Sequence, residues 1–261
     1  MVNKYIKPVV DFLYPQQCLL CGLCSHRDIA ICSGCERDLS QNRHCCQLCA
    51  LPLITTELDL LCGRCQQDAP NYDLCISPWL YDDSISGLIR PMKFQANLAA
   101  ASALGKLLAR ELTQHYSDSD WPDLLIPMPL HWSRLWRRGF NQATEISLAV
   151  LSGLLELNEP KQHLPRLASG HCKRVRRTTS QASLGAKSRS LNMSHAFQAK
   201  SACSGQYIAL LDDVITTGAT VAAAASSLQL AGAAEIHIWS LARTPLPTSR
   251  NQTRDGGADT G

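Results

Sequence analysis

Eight cysteines and two adjacent aspartates are the residues of this chain whose types and spacing could do chemistry. The cysteines form four Cys-x2-Cys pairs: "CLLC" (Cys18, Cys21), "CSGC" (Cys32, Cys35), "CQLC" (Cys46, Cys49) and "CGRC" (Cys62, Cys65), separated by ten, ten and twelve residues. Each pair lets two thiolates chelate one ion from a tight turn. Two pairs complete a tetrahedral site, so four pairs predict two Zn2+ sites. Four thiolates leave no open position for water or substrate, which makes both sites structural. The spacing permits a sequential pairing, with Cys18, Cys21, Cys32 and Cys35 on one ion and Cys46, Cys49, Cys62 and Cys65 on the other, and also an interleaved one. Cys24 in "CLLCGLC", and His44 and Cys45 in "HCC", are further donors beside the pairs. The segment has few large apolar residues, so metal supplies much of its folding free energy. Cys75, Cys172 and Cys203 fall outside the pattern and read as ordinary buried or partly buried thiols.

The aspartates raise a different chemistry. In "YIALLDDVITTGATVAAAASSL" an apolar strand ends in Asp212 and Asp213, and a small-residue helix follows. Between them, Val214, Ile215, Thr216, Thr217, Gly218, Ala219 and Thr220 read as a loop of successive amides and hydroxyls, with the glycine allowing close approach. Open α/β sheets bind ligands beyond the carboxyl ends of their strands, and amides at a helix N-terminus bind phosphate. Carboxylates cannot serve the phosphate but accept hydrogen bonds from vicinal hydroxyls. Acids on one side and an anion cradle on the other describe a sugar 5-phosphate. No GK[ST] follows, so the loop is not a Walker A motif. The bland alternative is a surface loop with an acidic N-cap.

The elements that must position these groups alternate from about Tyr72 onward. "LCISPWLYDD" reads as a strand, 84–94 and 97–115 as helices, and "WPDLLIPMPL" as a short strand ended by prolines. "FNQATEISLAVLSGLLEL" is helical, "HLPRLA" is compatible with a strand, "QYIALLDD" is a strand, the helix after it ends near Gly232, and "EIHIWSLAR" is the last strand. Alternation of this kind predicts a parallel, doubly wound α/β domain. The tail 245–261 has almost nothing apolar to bury and is expected to be disordered.

Composition excludes little: 45% hydrophobic, 18% charged, net charge +3 over 261 residues. The distribution of charge says more, because His131 to Ser190 holds eleven lysines and arginines against three glutamates. Such a stretch docks something negative or is a solvated basic face. "HWSRLWRRGF" interleaves Trp132, Trp136 and Phe140 with arginines, as stacking platforms for single strands do. At helical spacing such aromatics are more often core. No cleavage site follows the N-terminal stretch, and no run approaches the roughly twenty apolar residues of a spanning helix. A cytoplasmic protein without a transmembrane segment is expected, where disulfides are rare and thirteen cysteines favour metal.

"LLDDVITTGAT" resembles the phosphoribosyl pyrophosphate (PRPP) loop of type I phosphoribosyltransferases. From about residue 16 to 244 the chain resembles the ComF/GntX family, on the cysteine pairs, "IPMPLHWSRLWRRGFNQ", "QASLGAKSRSLNMSHAF", that loop and the terminal "LAR". The resemblance implies an N-terminal segment with a double zinc ribbon over 1–71 and a type I phosphoribosyltransferase-like, parallel-sheet α/β domain over 72–244. It implies that Asp212 and Asp213 hold the ribose 2- and 3-hydroxyls and that Thr216, Thr217, Gly218 and Thr220 wrap the 5-phosphate. His131, Arg134 and Arg138 fall near the pyrophosphate position, and Gln181 and Arg189 in a hood over the site. PRPP would arrive with Mg2+, which keeps waters and binds substrate oxygens. Arg134, Arg137 and Arg138 also fit one solvated helix face, and His131 also fits a helix-start hydrogen bonder. Lys93 in "MKFQ" matches the family without a readable role. The implied activities are phosphoribosyl transfer to an acceptor, or PRPP binding without turnover. The ComF name adds natural transformation, with single-stranded DNA and other DNA-uptake proteins as partners.

Overall fold

The computed structural model describes residues 16–54, 60–117, 120–157, 163–175 and 196–245. The N-terminal part is built from two copies of one hydrogen-bonded turn. In the first, Cys18 N donates to Leu23 O and Gly22 N to Cys18 O; in the second, Cys46 N donates to Leu51 O and Ala50 N to Cys46 O. A short helix follows each, α1 (Ser33–Arg37) and α2 (Gly63–Gln67). Each begins on the first cysteine of a later pair, and the Cys32 sulfur itself caps α1 by accepting from Cys35 N.

Beyond Tyr72 the strands are β1 (Leu74–Ile76), β2 (Trp79–Leu80), β3 (Leu124–Pro127), β4 (Arg166–Leu167), β5 (Cys172–Arg174), β6 (Phe197–Ala199), β7 (Tyr207–Ile215) and β8 (Glu235–Arg243). The main sheet runs β1-β8-β7-β3-β4 with every pairing parallel, and β2 continues the edge along β8 after a break at Ser77–Pro78. The expected single strand "LCISPWLYDD" is thus two short pieces, since Pro78 has no amide to donate. Ile208 to Leu211 are buried consecutively, so both faces of β7 are covered, as in a parallel sheet. The helices are α3 (Asp83–Phe94), α4 (Leu98–His115), α5 (Trp132–Arg138), α6 (Gln142–Leu157) and α7 (Ala219–Leu230), all but α5 burying residues in the core. Asp82 caps α3 through Ile85 N at 3.2 Å, and Asn97 caps α4 through Ala100 N at 3.0 Å. Side-chain acceptors of this kind satisfy amides that a helix start leaves unpaired.

Two details depart from expectation. β5 and β6 form a small antiparallel ribbon that the sequence did not announce, because three-residue strands show no periodicity. β7 does not stop at the aspartates: Val214 and Ile215 pair with Ala242 and Arg243, so the loop begins at Thr216. Residues 246–261 lie outside the described residues. Among the described residues, no helix is long and apolar enough to cross a membrane.

Candidate functional site

The notch around the two aspartates follows from unequal strand lengths. β3 ends at Pro127 opposite Leu211, and Met128 N donates to Leu211 O at 2.7 Å. Past that point, among the described residues, β7 runs on without a strand on its β3 side, and Asp212 and Asp213 are its next residues. Each carboxylate accepts from the following backbone amide, Asp212 Oδ1 from Asp213 N at 2.9 Å and Asp213 Oδ1 from Val214 N at 2.7 Å. Asp213 is 4% exposed and its Oδ2 lies 3.0 Å from Lys93 Nζ, on the last turn of α3. That ion pair supplies the role for Lys93 that "MKFQ" alone does not. Burial, and then the negative charge of Asp213, push the Asp212 carboxyl up to about 7; the Asp213 amide, Lys93 and Arg174 hold it down.

Two further basic side chains feel the charge of the pair. Arg138, at the end of α5, stacks over Phe94 at 5.6 Å and donates to Gln142 Oε1 at 2.9 Å. Burial lowers its pKa, and the charge of Asp213 draws it back up. Arg174, on β5, stacks over Phe197 at 5.4 Å. Its pKa too is lowered first by burial and is raised by Asp212. Arg134 depresses both, so it shares their neighbourhood. Lys93 thus pairs directly with Asp213, while the charges of Asp213 and Asp212 act on Arg138 and Arg174 respectively. His131 is placed differently: it is the N-cap of α5, 7% exposed, with Nδ1 accepting from Ser133 N at 3.3 Å and 2.8 Å from Ser133 Oγ. Gln181 and Arg189 lie outside the described residues.

The turn from β7 into α7 is Thr216–Gly218. Gly218 has φ +79°, a conformation L side chains rarely adopt, and it caps α7 with no side chain of its own. Ala219 N lies 3.3 Å from Thr217 Oγ1, while Thr216 and Thr217 are exposed and Thr220 is half-buried. A glycine-capped, twelve-residue helix follows, and its first-turn amides have no acceptor within the helix.

The cysteines resolve into Cys18, Cys21, Cys32, Cys35 and Cys46, Cys49, Cys62, Cys65, the sequential pairing. Within each group the four sulfurs lie within 4.8 Å of one another; Cys21 and Cys32 are 3.8 Å apart, Cys49 and Cys62 3.7 Å. A tetrahedron with Zn–S of about 2.3 Å has edges of about 3.8 Å, so both tetrads fit Zn2+. Cys24 lies 3.6 Å from His26 Nδ1 and outside the tetrad, and Cys45 is likewise outside. Cys75, Cys172 and Cys203 are buried.

Three features escaped the sequence. Arg64, between two ligand cysteines, donates to Thr217 O at 2.8 Å. Arg243 donates to Cys49 O at 3.1 Å and to the carbonyl of Ile215 at 3.0 Å. And the α5 aromatics are not core: Trp132 is 72% and Trp136 88% exposed. An arginine inside "CGRC" is a visible oddity, but its partner is 153 residues away in sequence.

Residues 9–66 match the double zinc ribbon domain family. The chain is 36% identical over 216 residues to DNA utilization protein YhgH of Escherichia coli O6:H1, covering 82% of this chain and 90% of that protein. It is 34% identical over 221 residues to Competence protein F of Haemophilus influenzae, with the same coverage of 82% and 90%. Among solved structures, a hypoxanthine-guanine phosphoribosyltransferase from Bacillus anthracis overlays with a TM-score of 0.32 at 11% identity, over 59% of this chain and 72% of that one. The α/β class rests on this chain's own parallel strand order, and its tetrads on their own geometry. With a double zinc ribbon ahead of a parallel α/β sheet, and relatives matched along nine-tenths of their length, the chain belongs to the ComF family.

Proposed function

We propose that the notch at the end of β7 binds PRPP, or a closely related ribose 5-phosphate, together with Mg2+. The observation that carries this reading is the pairing of two unlike surfaces. A diacid, Asp212 and Asp213, stands a few residues before a glycine-capped helix start, with Lys93 paired to Asp213 and Arg138 and Arg174 within reach of its charge. Vicinal hydroxyls suit the carboxylates and a 5-phosphate suits the amides of Thr217 to Thr220. The arginines suit a pyrophosphate, whose charge they stabilise as the C1–O bond loosens. Ribosyl transfer needs positioning and electrostatics more than a general base, so the site supports transfer as well as sensing. Release of pyrophosphate that depends on an added acceptor distinguishes the two.

The names of the relatives, DNA utilization protein and competence protein, support a setting in DNA utilization and competence; within it we place the protein on the cytoplasmic side, with other DNA-uptake proteins as partners. The bare rings of Trp132 and Trp136 beside Arg134 and Arg137 favour a second reading, in which α5 stacks bases of single-stranded DNA. Calorimetric titration of PRPP with Mg2+ into the zinc-loaded protein tests the first reading. Saturable binding that Asp212→Asn/Asp213→Asn loses supports it; no binding by the folded wild type refutes it.

A further inference from the structure

Two arginines join the second cysteine tetrad to the turn at the end of β7. Arg64 stands between the ligands Cys62 and Cys65, and its Nη1 donates to the Thr217 carbonyl at 2.8 Å. Arg243, the last residue of β8, is 3% exposed. Its Nε donates to the carbonyl of the ligand Cys49 at 3.1 Å; its Nη1 donates to the carbonyls of Ile215, at 3.0 Å, and Thr216. Three consecutive carbonyls, those of Ile215, Thr216 and Thr217, are therefore held toward the tetrad. A trans peptide is planar, so the N–H that follows each carbonyl points the opposite way. Holding these carbonyls turns the amides of Thr216, Thr217 and Gly218 away from the metal site, in the direction a bound anion must occupy.

We propose that the second zinc site braces the anion-binding turn. Arg64 and Arg243 are the positioning residues through which occupancy of Cys46, Cys49, Cys62 and Cys65 by metal sets the affinity of the 216–220 turn for a sugar phosphate. The identity of that ligand rests on the PRPP reading above; the brace itself does not. Arg64 keeps its place only while the 62–65 turn is folded, and ribbons of this kind fold on their metal. A buried guanidinium such as Arg243 is tolerated because carbonyls satisfy it, and the Cys49 carbonyl is one of them. The coupling is reciprocal: a ligand that tightens the turn must raise the zinc affinity of the second tetrad by the same factor. Among the described residues the first tetrad has no counterpart of this brace; the ion pair from its ribbon to the α/β part is Glu36 with Arg110 on α4, at 3.6 Å.

The test uses full-length, zinc-replete protein and Arg64→Ala, a change at an exposed position that leaves the ligand cysteines in place. Hydrogen exchange of the 216–219 amides is measured without ligand, PRPP–Mg2+ affinity by calorimetry, and zinc by chelator release. The brace predicts two zinc ions per chain in both proteins. It also predicts exchange at 216–219 about tenfold faster and PRPP binding about tenfold weaker in the variant, the scale of one charge-assisted hydrogen bond. Saturating PRPP should slow release of one of the two zinc ions. Exchange and affinity equal to wild type in the variant would overturn the brace while leaving PRPP binding intact. Faster exchange in the variant, with no PRPP binding by either protein, would keep the brace and remove the PRPP reading.

Discussion

The two cysteine tetrads share their ligand chemistry and nearly the same hydrogen-bonded turn, yet they sit against different parts of the molecule. The first is peripheral: Cys21 is exposed, and Glu36 between Arg27 and Arg110 ties the ribbon to α4 at the surface. The second is part of the core. Cys46, Cys49, Cys62 and Cys65 are all buried in the same cluster as Trp79, Ile215 and Ala242. Around it, Arg64 and Arg243 reach the turn that follows Asp212 and Asp213. If the proposed brace holds, the same ligand set serves two ends, local folding in one place and shaping of the proposed binding turn in the other. What separates them is the backbone that the non-ligand residues touch.

The largest difference should appear on removal of a ligand. Cys62→Ser and Cys21→Ser should each lower zinc from two per chain to one. Cys62→Ser should cost several kcal/mol, on the order of 3–5, and Cys21→Ser clearly less, because the first leaves a cavity and an unmet site inside the core. Thermal midpoints with zinc analysis read both. Equal losses would break the comparison.

Arginine contacts should scale the same way. Arg243→Met removes the donors to the carbonyls of Cys49 and Thr216, while Ile215 O keeps Thr244 N, and should cost about 2–4 kcal/mol in denaturant titration. Arg110→Ala, which removes a half-exposed ion pair beside the first tetrad, should cost under about 1 kcal/mol.

Titration sharpens the contrast at the acids themselves. The native Asp212 carboxyl keeps its proton up to about 7, whereas the unfolded group releases it near 3.8. The native state then binds the extra proton between these values, so this group makes stability fall as pH rises through that window. Asp212→Asn should flatten the decline and raise the thermal midpoint above pH 7, while abolishing PRPP binding. A variant less stable than wild type at pH 8 would contradict the assigned environment.

The smallest effect concerns the turns. Gly22 and Ala50 occupy matching positions with φ of +75° and +53°. Ala50→Gly should change stability by no more than about 1 kcal/mol in the favourable direction, and Gly22→Ala by a similar amount in the unfavourable one, since a Cβ at Gly22 meets no neighbour.

Much of this was legible in the chain. Four regular cysteine pairs dictated two tetrads, because the chelating geometry is local to each turn. "EIHIWSLAR" became β8 residue for residue, and Gly218 marked the turn into α7, because burial and positive φ leave strong local signatures. The strand did not end at the diacid, since β8 runs beside it and pairing extends as far as Arg243. Lys93 with Asp213, Arg64 with Thr217 and Arg243 with Cys49 were invisible: each joins residues more than a hundred positions apart, and nothing in the local pattern of either partner encodes the other. The tryptophans of α5 misled for a related reason. Helical spacing shows that they share a face, but only the neighbours decide whether the face is covered, and here it is not.

The most direct measurement is PRPP–Mg2+ affinity in three proteins, wild type, Cys21→Ser and Cys62→Ser, each verified as folded and carrying two, one and one zinc ions. The account predicts that Cys21→Ser binds within about threefold of wild type and that Cys62→Ser loses at least tenfold, the scale of the arginine contacts to the turn. Equal affinity in the two variants would contradict it, because the second zinc would then do nothing for the turn that the first does not.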